Sequence, residues 1–111
     1  MRLPHAERAS VDIRKLRDYA LNPAHARGRH KARVFESALG LTQADAQELQ
    51  TALLTAARLY DAVLGEADEH GQRFVIEFEM ERKSKRAIIR SGWIIRKGEN
   101  FARLASCYIV D

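Results

Sequence analysis

The hydrophobic period of this sequence changes at Arg73, and no other feature limits its possible folds so strongly. Upstream, apolar residues recur every three or four positions, as on the face of a helix. From Phe74 they alternate: Phe74, Ile76, Phe78 and Met80 fall on one side, and Glu77, Glu79 and Glu81 on the other. Helices followed by half-buried strands predict an α+β fold, with about three N-terminal helices packed on one face of a three- to four-stranded antiparallel sheet. At 111 residues, 46% apolar and 31% charged, the chain supports one core. The expected organisation is a single domain over 1–111, with a poorly ordered lead-in at 1–10, a helical half at 11–60 and a sheet half at 61–111.

Within the helical half, Ile13, Leu16 and Ala20 are spaced for a short amphipathic helix ending near Leu21, because Pro23 disfavours a helical Asn22. A second helix follows Gly28, with Val34, Phe35, Ala38 and Leu39 as its expected buried face and Gly40 as its left-handed terminator. Thr42 and Asp45 form a capping pattern for the longest helix, expected over 43–60. After an acidic, glycine-containing loop with room for a short edge strand at 62–64, strands are expected from Arg73, over 87–95 and up to Val110. A charged turn around Ser84 and a hairpin turn around Gly98 join them.

Several function classes drop out on composition. The net charge of +4 and the pI near 9.6 permit a nucleic-acid partner without demanding one. No apolar run approaches the roughly 20 residues of a membrane span, and the first residues lack the apolar stretch of a signal peptide, so a cytoplasmic protein with no membrane role is expected. A lone cysteine, Cys107, excludes an internal disulfide and a cysteine-based zinc site. No two of the four histidines lie four apart, so neither a metal nor another cofactor is expected.

The chemistry-bearing residues fall in two places. Residues 22–41 combine a proline turn, a glycine and the cationic run Arg29, His30, Lys31 and Arg33 at the start of the second helix. Cations at the positive end of a helix dipole make sense if an external anion sits there, and phosphate is the obvious one. His30, one turn before Val34, is expected at the core margin, where a histidine can be held for proton transfer. The plainer alternative is a solvated helix face. In the sheet half, Arg90 interrupts the most apolar strand, and Ser106 and Tyr108 lie two apart on the last one. Paired strands bring these three together if the register puts them on one face; otherwise Arg90 simply pairs with Glu77 or Glu79 across the sheet. Together the residues suit RNA cleavage without metal. His30, Arg90, Ser106 and Tyr108 are the candidate catalytic group, with Arg29, Lys31 and Arg33 binding phosphate or RNA.

The phrases NPAHARGRHKARVF, the Gly71–Gln72–Arg73 run before a strand, and RLASCY around Cys107 resemble an uncharacterised family of small bacterial domains. Its recurring words are NPxHxxGxHKARVF and Arg-Leu-x-Ser/Thr-Cys-Tyr, it spans this whole length, and members also occur at the C-termini of larger proteins with toxin-like architecture. The order of helices then meander is similar to the barnase–EndoU–colicin–RelE group of ribonuclease toxins. The resemblance implies a toxin-like ribonuclease that cleaves RNA, tRNA among the candidates, to a 2′,3′-cyclic phosphate, and an acidic antitoxin or immunity protein as partner. The alternative is a non-catalytic module that binds nucleic acid or an acidic partner through the same cations.

Overall fold

The computed structural model describes residues 1–110. Helix α1 (Ile13–Lys15) runs into a π-helical turn (Leu16–Ala20) and is followed by α2 (Arg29–Leu39) and α3 (Ala46–Leu59). Four strands follow in one antiparallel meander, β1 (Val63–Asp68), β2 (Gly71–Arg82), β3 (Lys85–Arg96) and β4 (Arg103–Val110). This is the α+β order expected from the change of period.

Local chemistry sets the helix ends. Asp12 caps α1 by accepting the Arg14 N–H at 3.0 Å. The first helix is not a regular α-helix to Leu21, because the Leu21 N–H reaches the Leu16 carbonyl at 2.8 Å, one residue beyond the α-helical partner. That wide turn buries Leu16, Ala20 and Leu21 together. Gly40 ends α2 at φ 66°, with its N–H on the Glu36 carbonyl and the Leu41 N–H on that of Phe35. Thr42 and Asp45 form the reciprocal capping box ahead of α3. Arg82, at the end of β2, ties these two helix ends to the sheet: it donates to the Leu39 and Gly40 carbonyls and pairs with Asp45 and Glu48.

The β2–β3 hairpin turns through Lys83 and Ser84, both at positive φ, the two-residue geometry that matches strand twist. One face of the sheet packs Phe74, Ile76, Phe78, Ile89 and Trp93 against Leu16, Phe35, Leu39, Leu49 and Leu53. Ser91 is also on this face, fully buried; its hydroxyl donates to the Ile76 carbonyl at 2.8 Å and accepts the Trp93 indole N–H at 2.9 Å. Between β3 and β4 the register runs Gly92 to Ser106 but Trp93 to Leu104, leaving Ala105 as a bulge. The bulge lets Leu104 and Cys107, three apart, share the buried face.

Two expectations change. Residues 1–10 are packed rather than loose: Leu3 is buried, the Ala62 N–H bonds to the Met1 carbonyl, and Ser10 joins the edge of β4. An apolar side chain and a strand bridge anchor a segment that has no period to reveal it. The edge strand β1 is also longer than residues 62–64, since β2 begins at Gly71 and supplies partners as far as Asp68.

Candidate functional site

Ser10 makes a single parallel bridge to β4, with its N–H on the Ala102 carbonyl and its carbonyl on the Leu104 N–H, both at 2.9 Å. Beyond Ser10 the chain leaves the strand to enter α1, and the separation opens a cleft of about 590 Å³ between β4 and the π-helical turn. That volume is typical of a small-ligand site. Lys15, Tyr19, His25, Lys31 and Ser106 belong to its polar lining, together with Arg14 and the acids Asp12 and Asp18.

His25 is held from several sides. Its Nδ1 accepts the backbone N–H groups of Arg27 at 3.0 Å and Gly28 at 3.1 Å, and its carbonyl accepts the Arg29 N–H at 2.9 Å. With Nδ1 an acceptor, the neutral ring carries its proton on Nε2, which remains free. The ring leans on Tyr19, with centroids 4.5 Å apart and planes at 59°. Gly28 makes this possible: a Cβ there would stand 2.2 Å from the Tyr19 carbonyl oxygen, so only glycine lets the turn close on the π-helical segment. His25 thus closes the turn ahead of α2, its side chain taking the Arg27 and Gly28 N–H groups and its carbonyl that of Arg29, while among the described residues no side chain caps the first turn of α2 itself.

The Lys31 ammonium lies 5.6 Å from the Tyr19 ring centroid and 5.5 Å from that of Tyr108. Among the described residues it has no carboxylate partner and no hydrogen bond. Next to it, Arg90 sits opposite Tyr108 in the register and donates to its hydroxyl at 3.1 Å, while pairing with Glu77 at 2.6 Å. Those two contacts, Tyr108 first and Glu77 second, hold the guanidinium above its ordinary pKa. Two acids lie in the cleft wall: Asp12 is held down to about 2 by its hydrogen bonds from Arg14, and Asp18 is lowered by its hydrogen bond from Arg17. The Cys107 thiol is pushed up to about 12 by burial, against a small opposing effect of Lys31, so it is a protonated packing group.

The register places Arg90, Ser106 and Tyr108 on the face of the sheet away from the helices, with Ser106 exposed opposite Gly92. Lys31 and Ser106 line the cleft, and Tyr108 and Arg90 adjoin it through Lys31. His30, Arg29 and Arg33 do not line it; all three are exposed, without side-chain hydrogen bonds or ion pairs among the described residues. The buried stripe of α2 is Ala32, Phe35 and Leu39. That stripe turns Lys31, one helical turn before Phe35, towards the sheet edge and turns His30 and Arg33 outwards. Val34, taken as core in placing His30, is only half-buried. The histidine at the core margin is His25, and its signal was the spacing to Gly28, which fits a side chain capping the next backbone N–H groups.

Comparison with known proteins gives this geometry a family. A model of the domain of unknown function DUF6883 matches residues 2–111. The chain belongs to that family. No curated protein matches this DUF6883 chain. Among solved structures it is similar to a chain of a contact-dependent growth inhibition toxin–immunity protein complex from Klebsiella pneumoniae 342, with a TM-score of 0.67 and 14% identity. The match covers 96% of this chain and 97% of that one. At such identity the likeness establishes a shared fold. No helix of this DUF6883 domain is long and apolar enough to cross a membrane.

Proposed function

We propose that this domain is a toxin-type endoribonuclease that cleaves single RNA chains without a metal at the β4 cleft. The observation that carries the reading is a histidine tied through Nδ1 with Nε2 free, lining one cleft with an unpaired lysine. A developing oxyanion needs a positioned donor, and a phosphodiester needs a cation that is not already paired.

The reaction is an internal transesterification. The substrate 2′-oxygen bonds to the adjacent phosphorus as its proton leaves to water, and the bond from phosphorus to the 5′-oxygen breaks. His25, rather than His30, donates a hydrogen bond from Nε2–H to the phosphoryl oxygen on which charge develops, and the leaving 5′-oxygen takes its proton from water, giving a 2′,3′-cyclic phosphate and a free 5′-hydroxyl. Lys31 stabilises the charge that develops on the phosphoryl oxygens, and Tyr108, braced by Arg90, flanks it with Ser106. Arg29 and Arg33, exposed on α2, add long-range attraction for RNA. Fold likeness to a chain from a toxin–immunity complex favours a toxin context and an acidic neutralising partner that covers the cleft.

The test is digestion of total RNA in EDTA with analysis of the new ends. Cyclic phosphate ends support the reading. RNA bound but left intact across pH 5 to 9, a window chosen around the ordinary histidine pKa of about 6.5, would replace it with a non-catalytic nucleic-acid-binding module.

A further inference from the structure

A second cleft of about 440 Å³ opens on the first, and the two share Asp12, Lys15, Leu104 and Ala105 in their walls. Its far end is formed by His70, Arg73 and Arg96, from the β1–β2 turn, β2 and the end of β3. Ala105, the small bulged residue of β4, lies in the walls of both clefts.

The charges in this second cleft divide into satisfied and free. Arg103 is held by Glu99 through two contacts at 3.0 and 2.6 Å, and Asp12 is neutralised by Arg14 at 2.8 Å. Arg73 has only a loose approach to Asp68 at 3.7 Å, and His70 faces Glu69 at 3.5 Å. Lys15 and Arg96 have no ion pair or side-chain hydrogen bond among the described residues. A line of free cations therefore runs from Lys31 through Lys15 to Arg96, and the only acid at the junction is already paired.

We infer that the second cleft is a phosphate-binding subsite for the same chain that is cut in the first, so that the substrate is a single strand several nucleotides long. This rests on the ribonuclease reading for the identity of the cut site, but the subsite itself is a binding claim. Spaced cations over two clefts with shared walls suit a flexible polyanion, whose successive phosphates can reach both, better than a stiff duplex.

The experiment measures binding of 2′-O-methyl oligoribonucleotides, which cannot be cleaved, from a dinucleotide to an octanucleotide, beside a duplex and polyglutamate. Wild type should bind longer strands progressively more tightly, with duplex and polyglutamate weaker. Arg96→Ala should leave the dinucleotide unchanged and weaken the octanucleotide about tenfold. Its salt dependence should flatten by about 0.7 in the log–log slope, the value for one phosphate contact on a single strand. Arg96→Glu should weaken it further, and a thermal melt of each variant reports the fold. Affinity that stops rising at the dinucleotide, or an octanucleotide insensitive to both substitutions, overturns the subsite even if RNA is cleaved. Polyglutamate binding as tightly as the octanucleotide also overturns it and points to an acidic protein. Length-dependent binding without cleavage keeps the subsite and removes the ribonuclease reading alone.

Discussion

The inner face of the sheet and the cleft at its β4 edge both carry polar groups, and the two treat them in opposite ways. On the inner face every one is satisfied: Ser91 joins the Trp93 indole to the Ile76 carbonyl, and Cys107 is kept protonated. At the edge, among the described residues, one nitrogen of His25 is occupied and the other is not, and Lys31 and Lys15 lack counter-charges. A protein gains little stability by holding cations unpaired beside a positioned histidine. Polar groups closed among themselves hold a fold together, whereas groups left with unused capacity await a ligand.

Substitutions can break or sharpen that contrast. Trp93→Ala, at the centre of the core, should cost about 3 to 5 kcal/mol and remove cleft function only by unfolding, as urea denaturation followed by circular dichroism will show. Ser91→Ala should cost about 1 to 3 kcal/mol, since it leaves a buried indole N–H without an acceptor. It should not change RNA affinity in the folded fraction. Lys31→Ala should reverse the pattern: stability stays within roughly 0.5 kcal/mol, as for most surface changes, while the salt slope of RNA binding flattens by about 0.7. Equal losses of stability from Lys31→Ala and Ser91→Ala would erase the distinction.

The smallest expected effect is a pH dependence. The folded Cys107 pKa, about 12, is raised above its ordinary 9.0. Its contribution to stability is therefore complete below pH 9 and lost as pH rises from there towards 12. Cys107→Ala should show a shallower alkaline loss than wild type in parallel denaturant titrations.

Much of the fold was legible because it is written in periodicity and end signals. The switch at Arg73, the Thr42–Asp45 capping pattern and Gly40 each specify a local geometry that needs no tertiary information. The docking of residues 1–10 was not legible, since it depends on a buried Leu3 and a bridge to a strand over ninety positions away. Arg90 and Ser91 read alike as polar interruptions of one strand, yet a strand sends neighbours to opposite faces, and only the register reveals which is buried. His30 was placed by the expected stripe of α2, and the observed stripe is rotated by only a fraction of a turn, from Val34 and Ala38 towards Ala32. That rotation is enough to carry His30 from the core margin to open solvent, whereas His25 lies on the turn before the helix. The second cleft was invisible for a related reason: its cations come from α1, β2, β3 and the β1–β2 turn, which only the tertiary fold brings together.

The central claim is that the Nε2–H of His25 stabilises the charge developing at an RNA-cleaving site, and one pair of variants tests it directly. Asn at position 25 retains an oxygen able to accept the Arg27 and Gly28 N–H groups but is too short to place an N–H where the ring's Nε2–H stands. The measurement is the initial rate of RNA cleavage in EDTA by wild type, His25→Asn and His30→Ala, with thermal melts to confirm equal folding. The account predicts a loss of about 10²- to 10³-fold for His25→Asn, with RNA affinity almost unchanged, and near-wild-type cleavage for His30→Ala. Full activity in His25→Asn, or a comparable loss confined to His30→Ala, would contradict it.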